Sequence, residues 1–148
     1  MKAALLDVNV LVALAWPNHV RHDAAHAWFS RHAGAIWATC PITQCGFIRV
    51  SSNPKITGGS VSPRDAHTVL CGMTAHKHHV FWPADLDYSL AENRCAALVV
   101  GHRQVTDAYL IDLAVRHKGR LVTLDKNAAM LVPEELKAAR CVEVISAQ

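Results

Sequence analysis

Three aspartates that lie far apart along the chain are the residues best suited to chemistry. Asp7 follows a short apolar segment at residues 3–6, and Asp125 follows a second such segment at residues 120–124. Asp107 begins a stretch whose apolar residues recur at helical spacing. Because the carboxyl ends of parallel strands line one edge of an α/β sheet, where ligands bind, we expect these acids to meet there.

Carboxylates gathered in this way repel one another unless a cation lies between them. Hard oxygen ligands favour Mg²⁺ or Mn²⁺, and Mg²⁺ is commonly held by a few carboxylates, waters and phosphate oxygens. Such an ion can activate a water and neutralise charge that develops on a phosphodiester. The start of a helix should also favour the ionised form of Asp107. An Asp at a helix start or after a strand is equally a common capping or turn residue, so each acid alone has a structural alternative.

The composition makes the positions of these acids informative. A chain of 148 residues suits one domain and can bury a core without disulfides. With 51% hydrophobic and 18% charged residues, intrinsic disorder is excluded. Only 12 Asp and Glu accompany 15 Lys and Arg, and the net charge of +3 permits contact with nucleic acid without indicating a strongly basic binding protein.

The cysteines and the N-terminus indicate the compartment. Five cysteines, an odd number without a C-x-x-C pair, predict free thiols in a reducing environment, with Cys40 and Cys45 buried. Asp7 and Asn9 interrupt the N-terminal apolar segment too early for a signal peptide, and no segment has the apolar length of a membrane span. The sequence therefore predicts a soluble, cytoplasmic protein.

Strand and helix patterns alternate along the chain, which implies a parallel sheet with helices on both faces. Residues 53–61 are predicted to be a loop, and residues 84–104 give no clear pattern. Thr106 is expected to cap the helix that starts at Asp107, and Gly119 to end it. Strands are predicted at residues 3–6, 35–39, 79–82, 120–124 and 141–145, and helices at 10–16, 21–33, 41–51, after Ser62, at 107–118 and after Pro133.

Four segments resemble, in order, the motifs of the PIN-domain nucleases, and within them the VapC toxins of VapBC toxin–antitoxin systems. The resemblance runs from about residue 3 to residue 146, and the combination of the four segments is far more specific than any one motif. The segments are Leu5-Leu6-Asp7-Val8-Asn9-Val10-Leu11, the stretch from Trp37 to Val50 that contains Gln44, Gly101-His102-Arg103-Gln104-Val105-Thr106-Asp107-Ala108-Tyr109-Leu110, and Leu121-Val122-Thr123-Leu124-Asp125.

This resemblance implies a three-layer α/β/α PIN fold, as a single domain over residues 1–148, with a central parallel sheet. It implies the toxin component of a type II system, a Mg²⁺- or Mn²⁺-dependent endoribonuclease acting on RNA such as tRNA or rRNA. A cognate VapB-type antitoxin and a homodimer are implied as partners. By position, Asp7, Asp107 and Asp125 would be the catalytic metal ligands, Asn9 would support Asp7, and Thr123 would orient groups near the metal.

Gln44 departs from the family pattern, since many PIN nucleases have Glu there. A neutral amide oxygen can ligate a cation or orient a water, but it does not offset the cation's charge. We therefore expect weak binding at any second metal position, which favours a mechanism with one firmly held ion. Gln44 remains a catalytic candidate, and the alternative is a solvated polar residue on the helix at 41–51.

Two other functions remain open from the residues alone. One is a PIN fold that binds RNA or a protein without efficient cleavage, which the amide of Gln44 favours. The other is a receiver-like domain phosphorylated on an Asp, although such domains place two acids after the first strand and Asp7 stands alone.

Histidines and basic residues offer weaker candidates for binding. His22 and His26 have an i, i+4 spacing but lack the H-E-x-x-H pattern, so a solvent-facing helix surface is predicted rather than a zinc site. Basic side chains around the acids are predicted to hold phosphates, with an ordinary solvated surface as the alternative. These are Arg49, Lys55, Arg103 and Lys126.

Overall fold

A computed structural model describes residues 2–147 and contains a parallel sheet of five strands in the order β3-β2-β1-β4-β5. Each predicted strand is confirmed, and each is one or two residues shorter than predicted. The strands are β1 (Ala4–Leu6), β2 (Trp37–Thr39), β3 (His79–Phe81), β4 (Arg120–Thr123) and β5 (Val142–Val144).

β1 lies at the centre of the sheet because its residues are apolar on both faces. Leu5 pairs with Ala38 of β2 on one side and with Leu121 of β4 on the other. Successive side chains of a strand point to opposite faces, so a continuous apolar segment requires cover on both. Leu5 and Leu6 are each 0% exposed, and they contribute to separate cores on the two sides of the sheet.

Two helical layers cover the sheet and complete the predicted α/β/α arrangement. On one face, Leu6 and Val122 pack with residues of α1, α2, α3 and α5, including Leu11 and Phe47. On the other face, Leu5 packs with α6 and the irregular segments around it. The helices are α1 (Val8–Ala15), α2 (His22–Arg31), α3 (Pro41–Ser51), α4 (Pro54–Thr57), α5 (Pro63–Thr74) and α6 (Val105–Arg116).

Polar contacts hold the segment that showed no clear sequence pattern. It contains two 3₁₀ helices, Arg94–Leu98 and His102–Gln104. The buried Asp112 of α6 accepts hydrogen bonds from the Tyr88 hydroxyl at 2.9 Å and the Cys95 backbone N–H at 3.1 Å. Leu86, Cys95 and Val99 of this segment also pack against the core, but they recur at no constant spacing, so hydrophobic periodicity gave no signal for it.

The prediction of a loop at residues 53–61 is wrong for its first part, which forms the single turn of α4. The Asn53 side chain accepts a hydrogen bond from the Lys55 N–H at 3.0 Å, and Pro54 occupies the first helical position. This is ordinary N-terminal capping, for which Asn-Pro is well suited.

Both predicted ends of α6 are also wrong. The helix begins at Val105, so Thr106 lies in its first turn, and Gln104 instead accepts hydrogen bonds from upstream N–H groups. At the other end Lys118, with φ of 56°, takes the left-handed conformation expected of Gly119. Glycine is needed at 119 for space, because a Cβ there would lie 2.6 Å from the Ala3 carbonyl oxygen.

All five cysteines are free, as predicted. Cys40 is buried, but Cys45 is exposed on α3, so the prediction of burial is wrong for the second thiol. Among residues 2–147, no helix is long and apolar enough to cross a membrane.

Candidate active site

Asp7 is a buried carboxylate whose orientation is determined by two hydrogen bonds. It is 6% exposed and stands between β1 and α1 as the N-terminal cap of that helix. Its Oδ1 accepts from the Val8 N–H at 2.8 Å, and its Oδ2 accepts from the Thr123 hydroxyl at 2.7 Å. The carboxylate is thus held by its own helix and by the end of β4.

Thr123 connects the ends of β1 and β4. Besides donating to Asp7, its Oγ1 accepts from the Asn9 side-chain amide at 3.2 Å and the Asp125 backbone N–H at 3.1 Å. The Asn9 Oδ1 accepts from the Leu124 N–H at 3.1 Å. Asn9 therefore acts on Asp7 through Thr123, which is a less direct support than the sequence suggested.

The other two acids come from the end of β4 and the start of α6. Asp125 is half-buried, and its Oδ1 accepts from the Asn127 N–H at 2.9 Å at the start of a 3₁₀ helix, Lys126–Leu131. Asp107 is half-buried in the first turn of α6. The fold thus brings both acids to the same side of the molecule as Asp7.

The electrostatics of the acids show that they share one environment. Burial raises the pKa of Asp7, although the bonds from Thr123 and Val8 lower it and the charge of Asp125 raises it further. Burial, followed by the charges of Asp7 and Asp125, raises the pKa of Asp107 to about 6. The expectation that the helix start would favour ionised Asp107 is wrong, because burial and like charge outweigh the helix dipole.

Gln44 is half-buried in the first turns of α3, and it is hydrogen-bonded rather than fully solvated. Its amide Nε2 donates to the Thr39 hydroxyl at 3.0 Å, at the end of β2. The same hydroxyl lies 2.7 Å from Nε2 of His79 on β3. Gln44 is thus connected to the neighbouring strands β2 and β3, while Thr123 organises the aspartates on β1 and β4.

A glycine allows α3 to approach the helix that Asp7 caps. A Cβ at Gly46 would lie 2.5 Å from Cγ2 of Val8, the residue that follows Asp7. No side chain larger than hydrogen fits there without movement of the stiff, β-branched valine. Gly46 therefore controls the spacing between α1 and the helix that bears Gln44.

Comparison with known proteins identifies the family to which this arrangement belongs. The family model of the PIN domain matches residues 4–131. The chain belongs to the PIN-domain family. Within it, the chain is 48% identical over 126 residues to Ribonuclease VapC39 of Mycobacterium tuberculosis, a match that covers 85% of this chain and 91% of the relative.

Other relatives from the same organism support a place in the VapC group of the PIN family. Ribonuclease VapC38 is 46% identical over 134 residues, covering 90% of this chain and 93% of the relative. Ribonuclease VapC44 is 41% identical over 127 residues, covering 86% and 89%. These matches confirm the resemblance that the four sequence motifs indicated.

The donor chemistry of this PIN domain suits a divalent cation. Within residues 2–147, no group of three His, Cys, Asp or Glu side chains is placed closely enough to form a complete metal site. Burial and, to a smaller extent, the neighbouring carboxylates nevertheless raise the pKa of Asp7 and Asp107, and a cation beside them would offset both effects. Mg²⁺ in particular commonly binds through a few carboxylates and retains waters, so it does not require a closed cage.

Two histidines of the PIN domain have a role that sequence reasoning missed. His22 Nδ1 lies 2.7 Å from the Ala13 carbonyl oxygen, and His26 Nε2 lies 3.1 Å from that of Leu14. The prediction of a solvent-facing surface is confirmed for His26, which is exposed, whereas His22 is half-buried. Both rings also bond the last carbonyls of α1 and join α2 to it. The signal available in the sequence was their i, i+4 spacing, which places both rings on one side of α2.

The basic residues expected to hold phosphates are exposed side chains. The structure places them on α3, on α4, on the 3₁₀ helix before α6, and directly after Asp125. They are Arg49, Lys55, Arg103 and Lys126.

Proposed function

We propose that this chain is a metal-dependent endoribonuclease, the toxin of a type II toxin–antitoxin system. The observation that carries this proposal is the electrostatic coupling of Asp7, Asp107 and Asp125, three acids from separate elements of a PIN fold. The name Ribonuclease, borne by relatives at 46% and 48% identity, supports RNA as the substrate.

Asp7, Asp107 and Asp125 would hold the divalent cation, Mg²⁺ or Mn²⁺. When bound there, such an ion lowers the pKa of a water and neutralises charge on the scissile phosphodiester. The Thr123 hydroxyl and the Val8 N–H keep the Asp7 carboxylate in one orientation. That orientation is set before the substrate arrives, so no reorganisation of Asp7 is needed.

Asp107 is the acid whose protonation matters most near neutral pH. With a pKa of about 6, it is mainly ionised at pH 7 and mainly protonated at pH 5. Protonated Asp107 offers one fewer anionic ligand, so cation binding weakens as the pH falls. Exposed cations such as Arg103 and Lys126 would meet the RNA phosphates as the backbone lies across the acids.

The partners that accompany this function follow from the VapC group. We infer that a VapB-type antitoxin binds and inhibits this chain, and that the chain forms a homodimer in the cytoplasm. Transfer or ribosomal RNA is the expected class of target.

RNA cleavage with Mg²⁺, Mn²⁺ or EDTA tests the activity. Wild-type protein should cut RNA with either metal and not with EDTA, and Asp107→Asn should lose activity. Asp23→Asn is the matched control, because Asp23 is also an acid in the first turn of a helix but is exposed on α2. Absence of cleavage by wild-type protein with both metals would contradict the proposal, and RNA binding without cleavage would favour a binding module.

A further inference from the structure

A chain of hydrogen bonds runs from β3 to Gln44 through one buried hydroxyl. Thr39 is 0% exposed, and its Oγ1 lies 2.7 Å from His79 Nε2 and 3.0 Å from Gln44 Nε2. A threonine hydroxyl has one proton to donate and two lone pairs that accept. The partner that receives the Thr39 proton therefore determines which group donates and which accepts in each of these hydrogen bonds.

The surroundings of His79 determine which of its nitrogens carries a proton. Burial lowers the pKa of His79, a hydrogen bond to the Thr74 backbone raises it, and the nearby His76 lowers it, with a net lowering. The Trp37 ring also packs on the imidazole, with ring centroids 4.8 Å apart. Nε2 lies 2.7 Å from the Thr39 hydroxyl, so Nδ1 is the ring nitrogen left for the Thr74 backbone, and we assign the proton of the neutral ring to Nδ1. Nε2 is then the acceptor, and it receives the Thr39 proton.

This direction determines how the Gln44 amide is turned. Since the Thr39 proton points to His79, the Thr39 oxygen can only accept from Gln44. The NH₂ group of the amide must therefore face Thr39, and the carbonyl Oε1 is the end left for other partners. A glutamate at position 44 has no proton to donate at neutral pH. The Thr39 hydroxyl would then have to donate to that carboxylate and accept from an N–H at Nε2 of His79.

We propose that Thr39 and His79 are positioning residues that orient the Gln44 amide and present its Oε1 as a neutral hydrogen-bond acceptor. The value of that acceptor for catalysis, where it would receive an O–H donor such as a water, rests on the proposed ribonuclease function. The direction of the hydrogen bonds does not depend on the ribonuclease function, and it can be measured on the protein without RNA.

NMR of the His79 side chain tests the direction. Ring nitrogen shifts of wild-type protein at neutral pH should show the tautomer with the proton on Nδ1. Gln44→Glu should turn Thr39 towards the carboxylate, move the His79 proton to Nε2 and raise the His79 pKa by about one unit. Gln104→Glu is the matched control, because the Gln104 Oε1 already accepts its hydrogen bonds and a carboxylate can do the same.

Two Thr39 variants distinguish an effect passed through the Thr39 hydroxyl from a direct effect on His79 of the carboxylate charge at position 44. In a Thr39→Val background, Gln44→Glu should no longer switch the tautomer, since only the through-space charge remains. Thr39→Ser keeps the hydroxyl, so Gln44→Glu should again change the His79 tautomer in that background. The serine variant also provides the test if the valine variant does not fold. An Nε2–H tautomer in wild-type protein, or no change of tautomer in Gln44→Glu, would overturn the proposal.

Cleavage assays then test the catalytic consequence. Thr39→Val should lower kcat about tenfold with little change in KM, as loss of a residue that orients a catalytic group does, and Thr39→Ser should recover most of it. Wild-type protein that shows the predicted tautomer but cuts no RNA would contradict the ribonuclease proposal and leave the hydrogen-bond direction established. Equal kcat for wild-type and Thr39→Val would remove the catalytic role.

Discussion

The hydroxyl of Thr123 donates a hydrogen bond of 2.7 Å to the carboxylate of Asp7, across 116 positions of sequence. It joins the carboxyl ends of two adjacent strands and selects one orientation of a buried acid. The same oxygen accepts from Asn9 and Asp125, so a single side chain organises both strand ends.

Replacing Thr123 by Val should destabilise the protein and raise the pKa of Asp7. The Thr123 bond lowers that pKa, and its loss also leaves the Asn9 amide and Asp125 N–H without their acceptor. We expect a loss of about 1–3 kcal/mol in the free energy of unfolding, measured by urea denaturation. Thr123→Ser should retain most of the stability, and an equal loss in both variants would show that the methyl group, not the hydroxyl, matters.

Removal of the Asp107 charge should stabilise the metal-free protein at neutral pH. Its folded-state pKa of about 6 exceeds the ordinary value of 3.8, so the folded protein binds the proton more tightly than the unfolded chain does. The resulting stabilisation is complete below pH 3.8 and is lost as the pH rises to about 6.

In EDTA, Asp107→Asn should therefore raise the free energy of unfolding by about 1 kcal/mol at pH 7, allowing for solvent screening of a half-buried acid. At pH 3.5 the two proteins should be equally stable. Asp23→Asn should change little at either pH. Destabilisation by Asp107→Asn at pH 7 would contradict the repulsion inferred among the acids.

RNA cleavage should fall as the pH is lowered through about 6, because Asp107 then becomes protonated. Single-turnover rates at a fixed, subsaturating Mg²⁺ concentration should decline up to tenfold per pH unit at the acid end. Bound Mg²⁺ would lower the pKa of Asp107, so the midpoint should move to lower pH as the Mg²⁺ concentration increases. A midpoint that does not respond to Mg²⁺ would argue against Asp107 as a ligand.

Divalent ions should raise the thermal stability of the folded protein, since a ligand that binds only the native state stabilises it. Addition of Mg²⁺ or Mn²⁺ should increase Tm, and EDTA should reverse the increase. Asp7→Asn keeps an N-terminal cap for α1 but removes the charge, so its Tm should respond much less. A full response in Asp7→Asn would place the bound ion elsewhere.

Gly46→Ala should push α3 away from α1, because the added Cβ would lie 2.5 Å from Val8 Cγ2. We expect a loss of about 1–3 kcal/mol in stability and a lower rate of RNA cleavage. Gly34→Ala is the matched control, since a Cβ there meets nothing within 4 Å. Wild-type stability in Gly46→Ala would mean that Val8 moves aside at little cost.

Local patterns were sufficient for most of the fold. Apolar or alternating segments of four or five residues predicted every strand. Apolar residues at helical spacing, together with proline and cap positions, predicted α1, α2, α3, α5 and α6, because these patterns are properties of the chain itself. The errors lie where the outcome depends on tertiary contacts rather than on a local period. Asp112 holds residues 84–104 through Tyr88 and Cys95, and no hydrophobic period reports that bond.

The sequence by itself determined the order of strands and helices, the family and the candidate acids, because motif residues and hydrophobic periods are written in consecutive positions. Only the tertiary structure decided which groups those acids and Gln44 contact. The Thr123–Asp7 bond, the Gly46–Val8 contact and the Thr39–His79 pair each join residues distant in sequence. Their geometry depends on how strands and helices pack, so the direction of the Gln44 amide is a property of the folded sheet rather than of its motif.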